Sequence, residues 1–106
     1  MTPDQCASLE DVRREIDRID RDLIGLLGLR AQYVDAAARF KTNQQQVAAP
    51  ERQAAMMRDR REWADGSGLD PDVIEDVYRR LIAYFVQREL KQVGQAFPPA
   101  GPELRK

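Results

Sequence analysis

A chain of 106 residues and 12.1 kDa has room for one small domain. It contains no histidine, which excludes Ser-His and Cys-His catalysis, and we expect neither a metal nor a cofactor. Its 17 Lys and Arg residues nearly balance 18 Asp and Glu residues, and a net charge of −1 disfavours binding to nucleic acid.

The first predicted helix runs from about Leu9 to about Lys41 and contains no proline. Ser8 is the expected N-cap residue, with Asp11 three residues later, as in a capping box. Apolar residues recur with the 3-4 spacing that is typical of a long helix packed along its length. The two sets of positions are Leu9, Ile16, Leu23, Arg30 and Ala37, and Val12, Ile19, Leu26, Tyr33 and Phe40.

Two further helices follow a polar loop that we expect over residues 42–49. The second helix starts near Pro50, a residue suited to a first helical turn, and stops at Gly66-Ser67-Gly68. The third opens at Asp70-Pro71-Asp72, an N-cap followed by a first-turn proline and acid. Its stripe is Ile74, Val77, Tyr78, Leu81, Ile82 and Phe85, followed by Glu89 and Val93.

The predicted fold is all-α, a three-helix subunit with a long N-terminal helix. Residues 1–8 form an N-terminal extension, residues 9–93 the helical domain, and residues 94–106 a disordered tail. The first helix would be about 50 Å long, whereas a compact 100-residue globule has a radius of gyration of about 13 Å. We therefore expect an intertwined homodimer, because two short helices cannot cover so long a stripe. The alternative is a monomeric bundle whose first helix bends or breaks at Gly25 or Gly28.

The sequence also indicates a compartment. Cys6 is the single cysteine, so no disulfide can form within the chain, and nothing points to an oxidising environment. The chain contains no run of about 18 apolar residues, so no membrane span is predicted. Its first residues lack the basic start and apolar core of a signal peptide. We expect a cytoplasmic protein.

Arg30 is a charged residue at a core position of the first helix. Burial of an unpaired guanidinium is costly, so an anionic partner is expected near it. Lys41 lies eleven residues later, almost three whole turns, which predicts the same helix face about 16 Å away. The partner is either an acid of another helix (Glu51, Asp76 or Glu89) or a small anion held between the two cations.

Arg13 lies seventeen residues before Arg30, about 25 Å along the helix, which is too far for one small metabolite. Antiparallel pairing of the first helix with its dimer copy would bring Arg13 between Arg30 and Lys41 of the other chain. This arrangement predicts two equivalent cationic sites per dimer. Arg52, at the start of the second helix, could face an anion together with the helix N-terminus.

Glu89 interrupts the apolar face of the third helix, one turn after Phe85. Burial disfavours the ionised carboxylate unless a cation compensates for it. One interpretation is a salt bridge to an Arg or Lys of the first helix. The other is a protonated carboxyl group in a pocket, which can donate a hydrogen bond while it is neutral.

A resemblance to a known family joins these residues. The sequence resembles the all-helical AroQ class of chorismate mutases in four features. They are the segment LEDVRREIDRID at residues 9–20, the spacing of Arg13, Arg30 and Lys41, the run Ala49-Pro50-Glu51-Arg52 and the entry Gly68-Leu69-Asp70. The resemblance covers about residues 9–92. It implies an intertwined dimer of three-helix subunits and a substrate with two carboxylates and an enol ether.

The resemblance also implies roles for the charged residues. Arg13 of the partner chain, Arg30 and Arg52 would clamp the carboxylates, and Lys41 would reach the ether oxygen. The family rearranges chorismate to prephenate, a reaction that needs a folded substrate conformer and stabilised charge but no nucleophile or base. A chain without histidine can perform this reaction.

Two departures concern the ring and the ether of the substrate. Within the class, the sequence looks most like the isochorismate-pyruvate lyase subgroup, which makes salicylate and pyruvate. The segments that carry this likeness are Phe40-Lys41, the run at residues 49–52 and Ala54-Ala55-Met56. Typical mutases have Asp and Glu at the positions of Ala49 and Gln53, where they contact a ring hydroxyl, and Gln53 could still bond one. Many members have Gln at the position of Glu89, where the amide donates a hydrogen bond to the ether oxygen. Glu89 can donate such a bond only when it is protonated, so the activity should fall as pH rises.

The sequence therefore predicts a chorismate mutase, with isochorismate-pyruvate lyase as the alternative. Two other classes stay open: a non-catalytic helical dimer that binds a small diacid as a regulatory module, and a purely structural dimerisation domain.

Overall fold

The computed structural model describes residues 1–41, 46–47 and 49–96, with side chains as far as Gln92. It has three long helices, α1 (Leu9–Ala38), α2 (Pro50–Gly66) and α3 (Pro71–Ala96), preceded by a short 3₁₀ helix at Pro3–Gln5. No β-strand occurs within these described ranges, and the all-α prediction is confirmed. None of the described helices is long and apolar enough to cross a membrane.

α1 begins at the residue that the capping pattern predicted. Ser8 Oγ accepts a hydrogen bond from the backbone N–H of Asp11 at 3.1 Å, and the Asp11 carboxylate accepts one from the N–H of Ala7 at 3.0 Å. These bonds satisfy N–H groups that have no partner inside the helix. α1 is continuous through Gly25 and Gly28, so a break at these glycines is wrong, and the monomeric bundle with a bent helix stays an untested alternative.

The other end of α1 differs from the prediction. The helix ends at Ala38, three residues before Lys41. The N–H groups of Arg39, Phe40 and Lys41 donate to carbonyl oxygens three residues earlier, at 3.0 to 3.2 Å, and such bonds tighten a final turn. The helical spacing that predicted one shared face for Arg30 and Lys41 therefore stops short of Lys41.

The chain divides into two compact units, Met1–Tyr33 and Val34–Lys106. The first unit consists of the 3₁₀ helix and most of α1. Its heptad side chains are apolar but 38–70% exposed, and these exposed residues are Leu9, Val12, Ile16, Ile19, Leu23, Leu26 and Tyr33. Nothing within the described first unit covers these seven apolar side chains.

The second unit contains the end of α1 together with α2 and α3, which pack against each other. Met56 and Ala64 of α2 and Phe85 of α3 are buried. A separate apolar cluster, called the Val47 cluster below, consists of Ala38 and Val47 with the partly buried Val86 and Leu90.

Val47 corrects the prediction of a polar loop over residues 42–49. It is only 3% exposed, so this connection places an apolar side chain in the core. A single valine among polar residues carries no periodic signal, which is why the sequence did not indicate its burial. Gln46 and Val47 are also helical, contrary to the prediction of a loop, and residues 42–45 and 48 lie outside the described ranges.

The junctions around α3 agree with the sequence at one end and extend it at the other. Gly68 has a left-handed backbone (φ 74°), and the Asp70 carboxylate accepts a hydrogen bond from the N–H of Asp72 at 2.9 Å, as expected of an N-cap. α3 then continues to Ala96, so the boundary predicted at Gly94 falls inside the helix. One glycine costs only about 1 kcal/mol in a helix. The predicted tail beyond residue 96 lies outside the described residues.

Candidate active site

The six predicted site residues fall in different units. Arg13 and Arg30 lie on α1 in the first unit, where Arg13 is exposed and Arg30 is half-buried. The other four, Lys41, Arg52, Gln53 and Glu89, lie in the second unit. The placement of Arg13 and Arg30 beside the other four stays a prediction.

Lys41 and Glu89 form an ion pair in the second unit. The Lys41 Nζ lies 2.8 Å from each of the two carboxylate oxygens of Glu89. The side chain of Glu89 is 6% exposed and that of Lys41 is 26% exposed, so the carboxylate is withdrawn from water and the ammonium group is partly open. A cation therefore compensates the buried acid, as the first interpretation of Glu89 requires.

Two different elements bring this pair together. Glu89 lies on α3, one turn after the buried Phe85, and its neighbours Val86 and Leu90 belong to the Val47 cluster. Lys41 follows the end of α1, and its N–H donates to the carbonyl oxygen of Ala38, another member of that cluster. The packing of the Val47 cluster therefore holds together the two backbone segments that carry Lys41 and Glu89.

Arg52 and Gln53 lie in the first turn of α2. Arg52 is exposed, and Gln53 is half-buried. Gln53 lines a cleft of about 660 Å³ between α2 and α3, together with Pro50, Ala54, Met57, Arg79, Ile82, Ala83, Val86 and Gln87. This volume is within the range of small-molecule sites. Val86 lines the cleft and also belongs to the Val47 cluster.

Ala49 precedes α2 as its N-cap residue and has a left-handed backbone (φ 36°). Its carbonyl oxygen accepts a hydrogen bond from the N–H of Gln53 at 3.0 Å. The two positions that the resemblance places near a ring hydroxyl are thus joined in one helical turn. Both side chains are uncharged.

A second charged group next to Glu89 was not predicted. Arg88 donates from Nε to Asp35 Oδ1 at 2.8 Å and from Nη2 to Oδ2 at 2.9 Å, while Gln92 and Tyr84 contact Asp35 and Arg88 respectively. The hydrogen bond from Arg88 holds the pKa of the Asp35 carboxyl below its usual value, and Asp35 in turn raises the pKa of Arg88. The partners are 53 residues apart, so no local spacing could reveal them.

The described residues thus form an all-helical domain with a shielded Lys41–Glu89 pair and, lined by other residues, a cleft of a size that suits a small molecule. A family model described as "Chorismate mutase type II" matches residues 12–90. The chain belongs to this family, and it is an enzyme of the chorismate mutase type. The resemblance stated from the sequence is confirmed.

Known proteins of two kinds are similar to the chain. An isochorismate pyruvate lyase of Pseudomonas aeruginosa is 42% identical over 90 residues, which are 85% of this chain and 89% of that protein. A T-protein of Haemophilus influenzae is 41% identical over 76 residues, which are 71% of the chain and 20% of the T-protein. A T-protein of Enterobacter agglomerans is 34% identical over 100 residues, which are 93% of the chain and 26% of that protein. The chain thus matches the lyase over most of its length and the T-proteins over a small part of theirs.

Proposed function

We propose that the protein cleaves isochorismate to salicylate and pyruvate, and that it also rearranges chorismate to prephenate at the same site. The observation that carries the first reaction is the 42% identity to an isochorismate pyruvate lyase, of which the chain covers 89%. The uncharged Ala49 and Gln53 at the start of α2 support it, because typical mutases are expected to hold carboxylates there. The family match and the T-proteins support the second reaction.

Neither reaction requires a nucleophile or an external acid or base. In the cleavage, the ether C–O bond of isochorismate breaks while a ring hydrogen moves to the enolpyruvyl methylene group. The ring becomes the aromatic ring of salicylate, and the fragment becomes pyruvate, so no water or oxidant is consumed. The enzyme has to bind the reactive conformer and stabilise the charge that develops on the ether oxygen.

The charged residues have distinct tasks in this proposal. Arg30, Arg52 and the partner subunit's Arg13 bind the two carboxylates, because a guanidinium matches the geometry of a carboxylate. Lys41 donates to the ether oxygen. An ammonium group has three N–H donors, and Glu89 accepts from Lys41 with two oxygens, which leaves a donor for the substrate.

The dimer is part of the proposal, and a second copy of this chain is the occupant that we assign to the apolar stripe of α1. The stripe supports this assignment because seven of its apolar side chains are exposed along a single helix with heptad spacing. The site is incomplete without the second copy, which supplies Arg13.

We also propose a cytoplasmic location, because the chain has a single cysteine and no disulfide can form within it.

Product identification tests the function. The purified protein is incubated separately with isochorismate and chorismate, and the products are separated and quantified. We expect equal amounts of salicylate and pyruvate from isochorismate, and prephenate from chorismate. If neither substrate gives a product, the enzyme is not of this type. Binding of chorismate without turnover, unchanged by Lys41→Ala, would favour the regulatory diacid-binding dimer.

We predict that kcat/KM falls as pH rises and that Glu89 causes the decrease. In the ion pair Glu89 accepts two hydrogen bonds, and an ionised carboxylate would repel the charge that develops on the ether oxygen. Donation from Glu89 to that oxygen therefore requires its neutral form, which is the second of the two interpretations that the sequence left open. A single required proton gives a decrease of up to about tenfold per pH unit in the range where it is lost.

The pH profile of kcat/KM between about pH 5 and 8 measures this effect. Glu89→Gln is the matched variant, because an amide donates a hydrogen bond at every pH, and its profile should be flat. A flat profile for the unmodified enzyme would show that Glu89 only accepts from Lys41.

A further inference from the structure

We propose that Asp35 and Arg88 are positioning residues that hold the end of α1 on α3 and thereby set where Lys41 meets Glu89. The inference rests on the proposed function of Lys41. Neither residue was indicated by the sequence, and neither is assigned a contact with the substrate.

The contact between the two residues has the geometry of a two-pronged clamp. Two nitrogen atoms of Arg88 face the two oxygens of Asp35, at 2.8 and 2.9 Å. Such a bidentate pair fixes direction as well as distance, unlike the contact of a single ammonium group. Gln92, one turn further along α3, donates to Asp35 Oδ1, and Arg88 donates to the Tyr84 hydroxyl at 3.3 Å. Both members of the pair are therefore held from a second side.

The Asp35–Arg88 clamp and the Lys41–Glu89 pair connect the same two segments, the end of α1 and α3. Asp35 lies on α1 one turn before Ala38, and the N–H of Lys41 bonds to the Ala38 carbonyl oxygen at 3.2 Å. Arg88 is the residue directly before Glu89 on α3. A shift of α1 along α3 would break the Asp35–Arg88 contact and move Lys41 relative to Glu89 at the same time.

Burial separates the tasks of the two pairs. Glu89 is 6% exposed, whereas the side chains of Asp35 and Arg88 are 32% and 37% exposed. A half-exposed ion pair contributes little net stability, so geometry is the larger contribution of the clamp. Catalysis is sensitive to geometry, because a displacement of about 1 Å can lower a rate by as much as about 10²-fold. The hydrogen bond from Arg88 that lowers the pKa of Asp35 keeps the clamp ionised through the pH range of the assay.

The test removes the clamp without touching Lys41 or Glu89. We expect Asp35→Asn and Arg88→Gln each to lower kcat by about tenfold while KM changes less, because the misplaced donor is needed mainly in the transition state. The charge exchange Asp35→Arg with Arg88→Asp should restore most of the lost kcat.

Arg61→Gln is the matched control. Arg61 also bridges two helices, with 2.9 Å contacts to Asp72 and Glu75, and its side chain is 38% exposed, close to the 37% of Arg88. It lies far from Glu89 along the chain, and its replacement should leave kcat unchanged. An unchanged kcat in folded Asp35→Asn would overturn the proposal, and so would a loss that the charge exchange does not restore.

A measurement without substrate separates this proposal from the proposed function. Urea midpoints are compared for Asp35→Asn, Lys41→Met and the double variant. Loss of the Asp35–Arg88 clamp can misalign the Lys41–Glu89 pair only while that pair exists. The loss of stability in the double variant should therefore be smaller than the sum of the losses in the two single variants. Additive losses would overturn the positioning role, even if the enzyme turned over neither substrate.

Discussion

Lys41→Met is expected to lower kcat for either substrate by about 10²- to 10³-fold, the usual loss when one preorganised donor to a developing oxyanion is removed. The same variant should be less stable by about 3–5 kcal/mol, because it leaves the buried Glu89 carboxyl group without the cation that compensates it. Single-turnover rates and urea unfolding curves measure the two effects separately.

The double variant Lys41→Met with Glu89→Gln decides which effect matters to function. Removing both charges removes the cost of the buried, uncompensated carboxylate, so most of the stability should return. The activity should not return, because no ammonium group faces the ether oxygen. Lys91→Met, at an exposed position of α3, is the control and should change neither quantity. Recovery of activity together with stability would mean that Lys41 serves only to balance Glu89.

The sequence predicted those parts of the fold that short-range chemistry determines. The start of α1 at Leu9, the proline at the start of α2 and the Asp70 cap of α3 all follow from residues within one turn of each other. The misplacement of Glu89 on an apolar face was equally visible, because it is a break in a helical period. One of the two interpretations that the sequence left open, a salt bridge to a cation of the first helix, agrees with the ion pair to Lys41.

Contacts between distant residues were beyond the same reasoning. The Asp35–Arg88 clamp joins residues on two separate helices, and each of them looks like an ordinary surface charge in its own helix. The burial of Val47 depends on packing against Ala38, Val86 and Leu90, which no hydrophobic period in residues 42–49 reflects. The end of α1 at Ala38 likewise limited how far the spacing from Arg30 could be extrapolated.

Mixtures of two inactive variants are expected to regain activity if the partner subunit supplies Arg13 to each site. Arg13→Ala and Arg30→Ala should each lower kcat/KM by about 10²-fold or more, because each removes a charged partner of a substrate carboxylate. In a mixed dimer, one site lacks both arginines and the other has both. After unfolding and refolding together in equal amounts, half of the dimers are mixed, so about a quarter of all sites should be native.

The control mixture combines Arg30→Ala with Arg52→Ala. In the proposed site both residues come from the same chain, so every site of a mixed dimer keeps one defect, and no activity should return. Sedimentation of each mixture verifies that dimers are present, and Leu23→Asp, which places a charge on the exposed stripe of α1, should abolish them. No recovery with Arg13→Ala and Arg30→Ala would place Arg13 in the site of its own chain or outside any site. Recovery in that mixture and not in the control would require each site to be shared between two subunits.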